Sequence, residues 1–305
     1  MWPARQTEKN RLKAAMLHHA ATVRQLPGIS NPLALEALGM QFIASIRRED
    51  YYRRVQEKPI SAQRANPNSA VFDAERAVAY HMQNGNFEEA AWLVFLMTHF
   101  ARPADTGWLR LQDVYGMLGQ GTWSWQTVQS NPPAFTQWLS ANWTNIRGKF
   151  GNHRKYESLR PTSNRNMARV LASYTQLIGN SHVNFFARAV QSAGNNPETI
   201  FDHLYRQLGA VVTFGRLAKF DYLALIGRYG IAPISPGSAY LSGATGPASG
   251  VRLLFLGTPN GRATTKSMQR WLDDLDRDLV VGMQVMEDAL CNWQKSPTSF
   301  THFKG

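Results

Sequence analysis

The chain has 305 residues, of which 44% are hydrophobic, so it can bury a substantial core and is not a disordered protein. Its single cysteine, Cys291, excludes an intramolecular disulfide and a cysteine-built metal site, and its eight histidines form no HExxH motif or cluster. A net charge of +12 favours partners that carry phosphate or another anion.

The positive charge is concentrated in one part of the sequence. Residues 147–169 contain seven Arg or Lys and one acidic residue, a local charge of +6. Residues 273–288 instead carry six acidic side chains. This separation is typical of a nucleic-acid footprint, although basic residues that only improve solubility are the alternative.

Neither a secretion signal nor a membrane span is apparent. The first ten residues are polar and lack the apolar stretch of a signal peptide. The longest apolar run, residues 90–97, is much shorter than the ~20 residues that cross a bilayer. We expect a cytoplasmic protein that has no membrane partner.

Apolar residues at helical spacing predict an all-α fold, since two-residue alternation is rare. The first helix, about residues 33–55, ends in a polar face that suits either phosphate contact or solvated ion pairs. The later predicted helices span about 74–82, 87–100, 165–178, 197–208, 211–228 and 265–295.

The domain organisation is predicted to be simple, because no repeat or low-complexity linker divides the chain. We expect a basic segment at 1–30 and a multi-helix globular domain at 31–305, either undivided or with two lobes around a basic cleft. A Gly/Pro/Ser-rich connection covers 230–250. Five tryptophans between 108 and 143 are expected mostly in the core, with one or two free to stack on an unpaired base.

The decapeptide Phe150–Leu159, FGNHRKYESL, concentrates chemically diverse side chains. It holds an amide, an imidazole, two cations, a phenol and a carboxylate between apolar ends. A solvated helix face usually repeats a few long charged residues instead. This mixture indicates a site that binds an anion and moves a proton.

Three other segments have a similar mixed character. In Phe214–Leu223, Asp221 shares a helical face with apolar residues, and it is either a proton acceptor or a structural carboxylate paired with Arg or Tyr. Glu287–Lys295 aligns polar residues that either read a base edge or form a solvated face. Gly243–Arg252 could bring backbone N–H groups to an anion, but it matches no standard phosphate loop.

Taken together, these segments resemble the α-glutamyl/putrescinyl-thymine pyrophosphorylases, also called amino acid:DNA transferases, of phage and bacterial DNA hypermodification. The resemblance extends from about Leu33 to Gly305. Its matching stretches are 91–100, Gly107-Trp108, 113–116, 150–159, 214–223, Tyr240-Leu241, 244–247 and 287–297.

This resemblance implies a reaction on double-stranded DNA in the cytoplasm of an infected or host bacterium. A free amino acid or polyamine would attack the 5-methylene carbon of 5-(pyrophosphoryloxymethyl)uracil, and pyrophosphate would leave. The target base would be extruded from the helix. No cofactor is required, although a divalent metal could bridge the pyrophosphate oxygens.

The predicted roles follow the needs of this reaction: a base for the amine, cations for pyrophosphate, and rings and amides for the extruded base. The predicted catalytic residues are His153, Glu157 and Asp221. The predicted pyrophosphate contacts are Arg154, Lys155, Arg216, Lys219 and Arg252. The predicted base or substrate contacts are Asn152, Tyr156, Tyr222, Asp288, Asn292, Trp293 and Lys295.

Two other functions remain open on the sequence. A non-catalytic DNA-binding protein would use the basic residues alone. A helical base glycosylase would use a carboxylate to excise an extruded base.

Overall fold

The computed structural model describes residues 2–303, in which there are fifteen α-helices and no β-strand. The all-α prediction is therefore confirmed. In chain order the helices are α1 (Gln6–Thr22), α2 (Pro32–Glu57), α3 (Ala62–Ala65), α4 (Ala74–Gln83), α5 (Phe87–Phe100), α6 (Leu109–Tyr115), α7 (Trp125–Ser130), α8 (Pro132–Asn142), α9 (Met167–Ile178), α10 (His182–Ala193), α11 (Pro197–Gln207), α12 (Arg216–Arg228), α13 (Gly246–Leu256), α14 (Thr265–Leu279) and α15 (Met283–Trp293).

Local sequence signals explain several helix starts. The Asp73 side chain accepts a hydrogen bond from the backbone N–H of Arg76 at 3.1 Å and so caps α4, as its position predicts. Asn86 caps α5 and Asn166 caps α9 in the same way. Helices α2, α4, α5, α9 and α11 begin and end close to their predicted bounds.

The prediction of one continuous helix over 265–295 is wrong, because the structure has two helices there. The break lies between α14 and α15, where Val280 and Gly282 adopt positive φ angles of 51° and 83°. The Asp276 carboxylate accepts the N–H groups of Val281 and Gly282 at 2.8 and 2.9 Å, which stabilises the break. The apolar stripe continues across this break, and its period therefore conceals it.

Two other predicted boundaries are also corrected. Helix α12 begins at Arg216 rather than at 211, because Thr213 has a φ of 66° that no α-helix accommodates. Helix α13 already begins at Gly246, inside the predicted Gly/Pro/Ser-rich connection. A Cβ atom on Gly250 would lie 2.3 Å from the Leu290 carbonyl oxygen, so the glycine permits close packing of α13 on α15.

The described residues form two compact units. Unit 1 comprises residues 2–51 and 236–303, and unit 2 comprises residues 52–235. Within unit 1, helices α1, α13, α14 and α15 and the first part of α2 surround an apolar core that includes Leu12, Phe42, Leu272, Leu290 and Trp293. Helix α1 was not predicted and lies within the expected basic segment 1–30.

Unit 2 is organised around helix α5. From Ala90 to Leu96 its side chains are completely buried, which accounts for the apolar run in the sequence. Helices α4, α6, α7, α10 and α12 pack against it. Of the five clustered tryptophans only Trp123 and Trp125 are buried, so the prediction that most lie in the core is wrong: Trp108, Trp138 and Trp143 are half-buried.

Candidate functional site

The decapeptide starts at the end of α5 in unit 2. The backbone N–H of Gly151 donates to the carbonyl of Phe100 at 2.8 Å. A Cβ atom on Gly151 would come within 2.7 Å of the Ala101 Cβ atom, so this close approach requires glycine. A short 3-10 turn, Asn152–Arg154, follows directly and presents the polar residues.

Arg154 is the buried cation of this turn, with 6% of its surface exposed. Its Nη1 and Nη2 groups donate to the carbonyl and hydroxyl oxygens of Thr213 at 3.0 and 2.9 Å. Thr213 has a positive φ of 66°, and both of its oxygens face the guanidinium. Burial lowers the pKa of Arg154, and its Nε–H is buried with no hydrogen-bond partner among the described residues.

Glu157 is held between two arginines. Its carboxylate lies 3.6 Å from the guanidinium of Arg154 and forms a short ion pair with Arg165. Its side chain has no exposed surface. This geometry favours a structural counter-charge, and the predicted catalytic role of Glu157 stays a prediction.

His153 and Asp221 form the accessible acid–base pair. The Nδ1 atom of His153 lies 3.8 Å from the Oδ2 atom of Asp221, while half of the imidazole and 38% of the carboxylate side chain are exposed. This separation is longer than a hydrogen bond. Catalytic hydrogen bonds are often long before the substrate binds. The turn and α12 therefore bring two of the three predicted catalytic residues together at an open position.

A cavity of about 180 Å³ lies beside this pair. Its lining combines the end of α5, the turn and one face of α12, and includes His153, Arg154, Asp221, Arg228 and Tyr52. Ligand pockets typically enclose ~300–1,000 Å³, so this cavity suits a small polar group rather than a whole nucleotide. Two arginines, an imidazole and a carboxylate can bind an anionic group and accept a proton there.

Arg228 and Tyr52 also line this cavity and are not among the residues predicted from the sequence. The Arg228 guanidinium lies 5.1 Å from the Tyr52 ring centroid. A signal for Arg228 was present, because residues 217, 221, 225 and 228 repeat at helical spacing along the cavity face of α12. Tyr52 had no signal beyond its place in the polar end of α2.

Arg216 and Lys219 do not line this cavity. The Arg216 guanidinium lies over the ring of Phe220 at 5.0 Å, and the Lys219 ammonium lies over the ring of Tyr205 at 4.1 Å. Burial lowers the pKa of Lys219. Both belong to another face of α12, as their spacing from Asp221 predicts.

The other predicted residues of the decapeptide lie on its solvent side. Asn152 and Lys155 are exposed, and Tyr156 has 73% of its surface exposed. The Lys155 ammonium lies 5.2 Å from the centroid of the Tyr156 ring. These side chains are accessible to a macromolecular partner.

Tyr222 is buried in a polar chain. Its hydroxyl lies 3.0 Å from the hydroxyl of Tyr174, which lies 2.7 Å from Nε2 of His182. The Nδ1 atom of His182 is 2.8 Å from the Glu88 carboxylate. Burial raises the pKa of Tyr222. The structure thus places Tyr222 in the core, and its predicted base contact stays untested.

The predicted residues of α15 form a network within unit 1. The Asn292 amide donates to Asp288 at 3.0 Å and accepts from Lys295 at 2.9 Å. Asp288 also accepts from the Ser45 hydroxyl at 2.5 Å and pairs with Arg48 at 2.9 Å. Hydrogen bonds and an ion pair therefore link Asp288, Asn292 and Lys295 to one another and to Ser45 and Arg48. Their predicted contact with the substrate stays a prediction.

Trp293 and Arg252 also make internal contacts in unit 1. Trp293 is fully buried, and its indole N–H donates to the Pro297 carbonyl at 2.9 Å. Arg252 donates from Nε to the Pro259 carbonyl at 2.7 Å. Their predicted roles in base and pyrophosphate binding are untested.

A larger cavity of about 720 Å³ lies elsewhere in unit 2. Its described lining contains Glu88 and Glu89 with neutral amides and aromatic rings, but no Lys or Arg. His81, also in this lining, has its pKa lowered to about 4 by burial and is uncharged at pH 7. Since pyrophosphate needs cations, the smaller cavity is the better candidate despite its size.

Within residues 2–303, no His, Cys, Asp and Glu side chains cluster as metal ligands would. None of the helices in that range combines the length and apolar character needed to cross a membrane.

Comparison with known proteins identifies the family. No curated protein and no solved structure matches the chain significantly. Residues 33–305 match the family model described as alpha-glutamyl/putrescinyl thymine pyrophosphorylase clade 3. This match covers nearly the whole sequence, including the decapeptide and α12. The chain therefore belongs to clade 3 of the alpha-glutamyl/putrescinyl thymine pyrophosphorylase family.

Proposed function

We propose that the chain is a transferase acting on 5-(pyrophosphoryloxymethyl)uracil in double-stranded DNA. An amino acid or polyamine supplies the nucleophilic nitrogen, which forms a bond to the 5-methylene carbon. The carbon–oxygen bond to pyrophosphate breaks, and pyrophosphate leaves with the electron pair. The proton lost by the nitrogen passes to a base on the protein.

The observation that carries this proposal is the placement of His153 and Asp221 beside Arg154 and Arg228 in one cavity. The family match supports a pyrophosphate-releasing reaction at thymine, and this cavity has the side chains that such a reaction needs. It also has room for the methylene and its leaving group, while the remainder of the nucleotide stays outside.

His153 is the proposed base. Its imidazole can accept the amine proton, and the Asp221 carboxylate orients the ring and stabilises the imidazolium that forms. A positioned base of this kind contributes roughly 10²–10⁴-fold to the rate. Asp221 acts on the proton through His153, since the pair approaches within 3.8 Å.

Arg154 and Arg228 are the proposed pyrophosphate contacts inside the cavity. The fixed guanidinium of Arg154 is held by Thr213 before any substrate arrives, so little reorganisation is needed as negative charge develops on the leaving oxygen. Lys155, Arg216, Lys219 and Arg252 remain predicted contacts for the pyrophosphate.

The DNA contact is proposed for the exposed basic residues of 147–169. Arg160 and Arg165 lie on the same segment as Lys155. Such residues bind the phosphate backbone with a strong dependence on salt. Asn152 supplies an amide at the exposed edge of the turn for the extruded base.

The test is incubation with duplex DNA that contains 5-(pyrophosphoryloxymethyl)uracil and a panel of amino acids and polyamines, with and without EDTA. We expect release of pyrophosphate in step with a nucleoside whose mass has gained one amine. Alkali-labile abasic sites would instead establish a glycosylase. Salt-sensitive binding with no released pyrophosphate for any amine would establish a non-catalytic DNA-binding protein.

A further inference from the structure

Tyr156 has an exposure that core packing does not explain. With 73% of its surface exposed, it exceeds the other exposed aromatic residues of the described chain, Tyr51 at 39% and Phe87 at 42%. Its hydroxyl makes no hydrogen bond to the described residues. A large ring in water contributes nothing to the core, and it is free to pack against a binding partner.

The backbone that presents this ring is held in place on both sides. The N–H of Arg154 donates to the Gly151 carbonyl, and the N–H of Glu157 donates to the Arg154 carbonyl, each at 2.9 Å. The side chains of Arg154 and Glu157 are buried within the ion-paired cluster described above. An exposed ring on an anchored turn loses little conformational entropy when it binds.

The surroundings of the ring favour DNA as the partner. Lys155 lies beside it, and the exposed Arg160 and Arg165 follow on the same segment. Tyr156 is also three residues from His153, so the Cα atoms of the two residues are at most ~11 Å apart. An exposed aromatic ring among cations, on the same short turn as the proposed base, suits contact with DNA close to the reacting nucleotide.

We propose that Tyr156 is a wedge that enters the duplex and fills the space left when the target base is extruded and its 5-methylene group reaches the cavity. This inference rests on the proposed function. Extruding a base costs its stacking and pairing, and proteins offset this cost by inserting a side chain between base steps. Tyr156 therefore acts on the duplex and not on the bond that breaks.

The proposal predicts that a substitution that removes the ring of Tyr156 affects the reaction on duplex DNA but not the reaction on single-stranded DNA. In Tyr156→Ala, pyrophosphate release from matched duplex falls by about tenfold or more, because one stacking contact is lost. Release from the same strand without its complement changes by less than about twofold, because no base has to be extruded. Tyr156→Phe keeps the ring and stays close to the wild type on both substrates.

Phe87→Ala is the matched control, since it removes another exposed aromatic ring of unit 2. A duplex with 2-aminopurine at the target position reports base extrusion without any reaction. The wild type and Phe87→Ala increase its fluorescence, whereas Tyr156→Ala binds the duplex without the increase.

Equal losses on duplex and single strand would overturn the wedge, as would a 2-aminopurine fluorescence increase with Tyr156→Ala that equals the increase with the wild type. A wild type that acts only on single strands would overturn it as well. If the wild type releases pyrophosphate from neither substrate, the proposed function fails, and the 2-aminopurine signal alone then decides whether Tyr156 opens the duplex.

Discussion

The Nδ1 atom of His153 lies 3.8 Å from the Oδ2 atom of Asp221, although one residue comes from a short 3-10 turn and the other from α12. Two structural devices produce this approach. Gly151 brings the turn against the end of α5, and the bonds from Arg154 to Thr213 fasten it to the segment that leads into α12. The contacts that bury the Arg154 guanidinium thus also position His153 and Asp221.

Replacement of Asp221 tests the pair directly. We expect Asp221→Asn to lower kcat by roughly 10²-fold with DNA affinity unchanged, because the imidazolium loses its carboxylate while the basic surface is kept. Pyrophosphate release and fluorescence anisotropy with labelled duplex measure the two effects. Asp202→Asn, which removes an exposed carboxylate paired with Arg206, is the control. If the kcat of Asp221→Asn is within about twofold of the wild-type value, Asp221 has no part in the mechanism.

Glu157 should matter for stability. Glu157→Gln leaves Arg154 and Arg165 without their shared counter-charge, and we expect it to lower the free energy of unfolding by about 3 kcal/mol. Urea denaturation measures the change. Asp274→Asn, which breaks an exposed pair with Arg277, should cost less than about 1 kcal/mol. Full stability combined with lost turnover would instead support the catalytic role predicted for Glu157.

The Glu88 network predicts a pH dependence of stability. Burial opposes ionisation of Glu88, but hydrogen bonds from His182 and Ser181 outweigh it and lower its pKa to about 2 from 4.5. The unfolded state therefore binds more protons between pH 4.5 and 2, and the stabilisation, complete above this window, is lost as pH falls through it. Urea curves measure the free energy of unfolding of the wild type and of Glu88→Gln at each pH. The difference between the two should become smaller as the pH falls from 4.5 to 2. A difference that stays constant with pH would contradict the assignment.

Gly250 should be required for the packing of α13 on α15. Alanine favours a helix over glycine by ~1 kcal/mol, but its Cβ atom would lie 2.3 Å from a backbone oxygen that cannot rotate away. We expect Gly250→Ala to lower the free energy of unfolding by about 2 kcal/mol, measured with urea. Gly209→Ala is the control, because a Cβ atom there meets nothing within 4 Å. If the two substitutions lower the free energy of unfolding equally, the close approach of α13 to α15 does not depend on glycine at position 250.

The helices could be predicted where apolar spacing and capping residues agree, as in α5, which follows Asn86 and contains the buried run 90–97. The break at Val280 could not be predicted, because Leu279 and Met283 keep the apolar period across it. Residues close in sequence within the decapeptide could be grouped into a candidate site. Arg228 continues the helical spacing of Asp221, and only the cavity shows that the site extends that far along α12.

The most direct test of the account compares wild type and His153→Ala on duplex DNA containing 5-(pyrophosphoryloxymethyl)uracil, with the digested nucleosides analysed by mass spectrometry. We predict an amine-bearing thymine nucleoside and an equal amount of pyrophosphate from the wild type, and neither from His153→Ala, although the variant binds the same duplex with unchanged affinity. Undiminished transfer by His153→Ala would show that this turn and α12 do not form the reactive site.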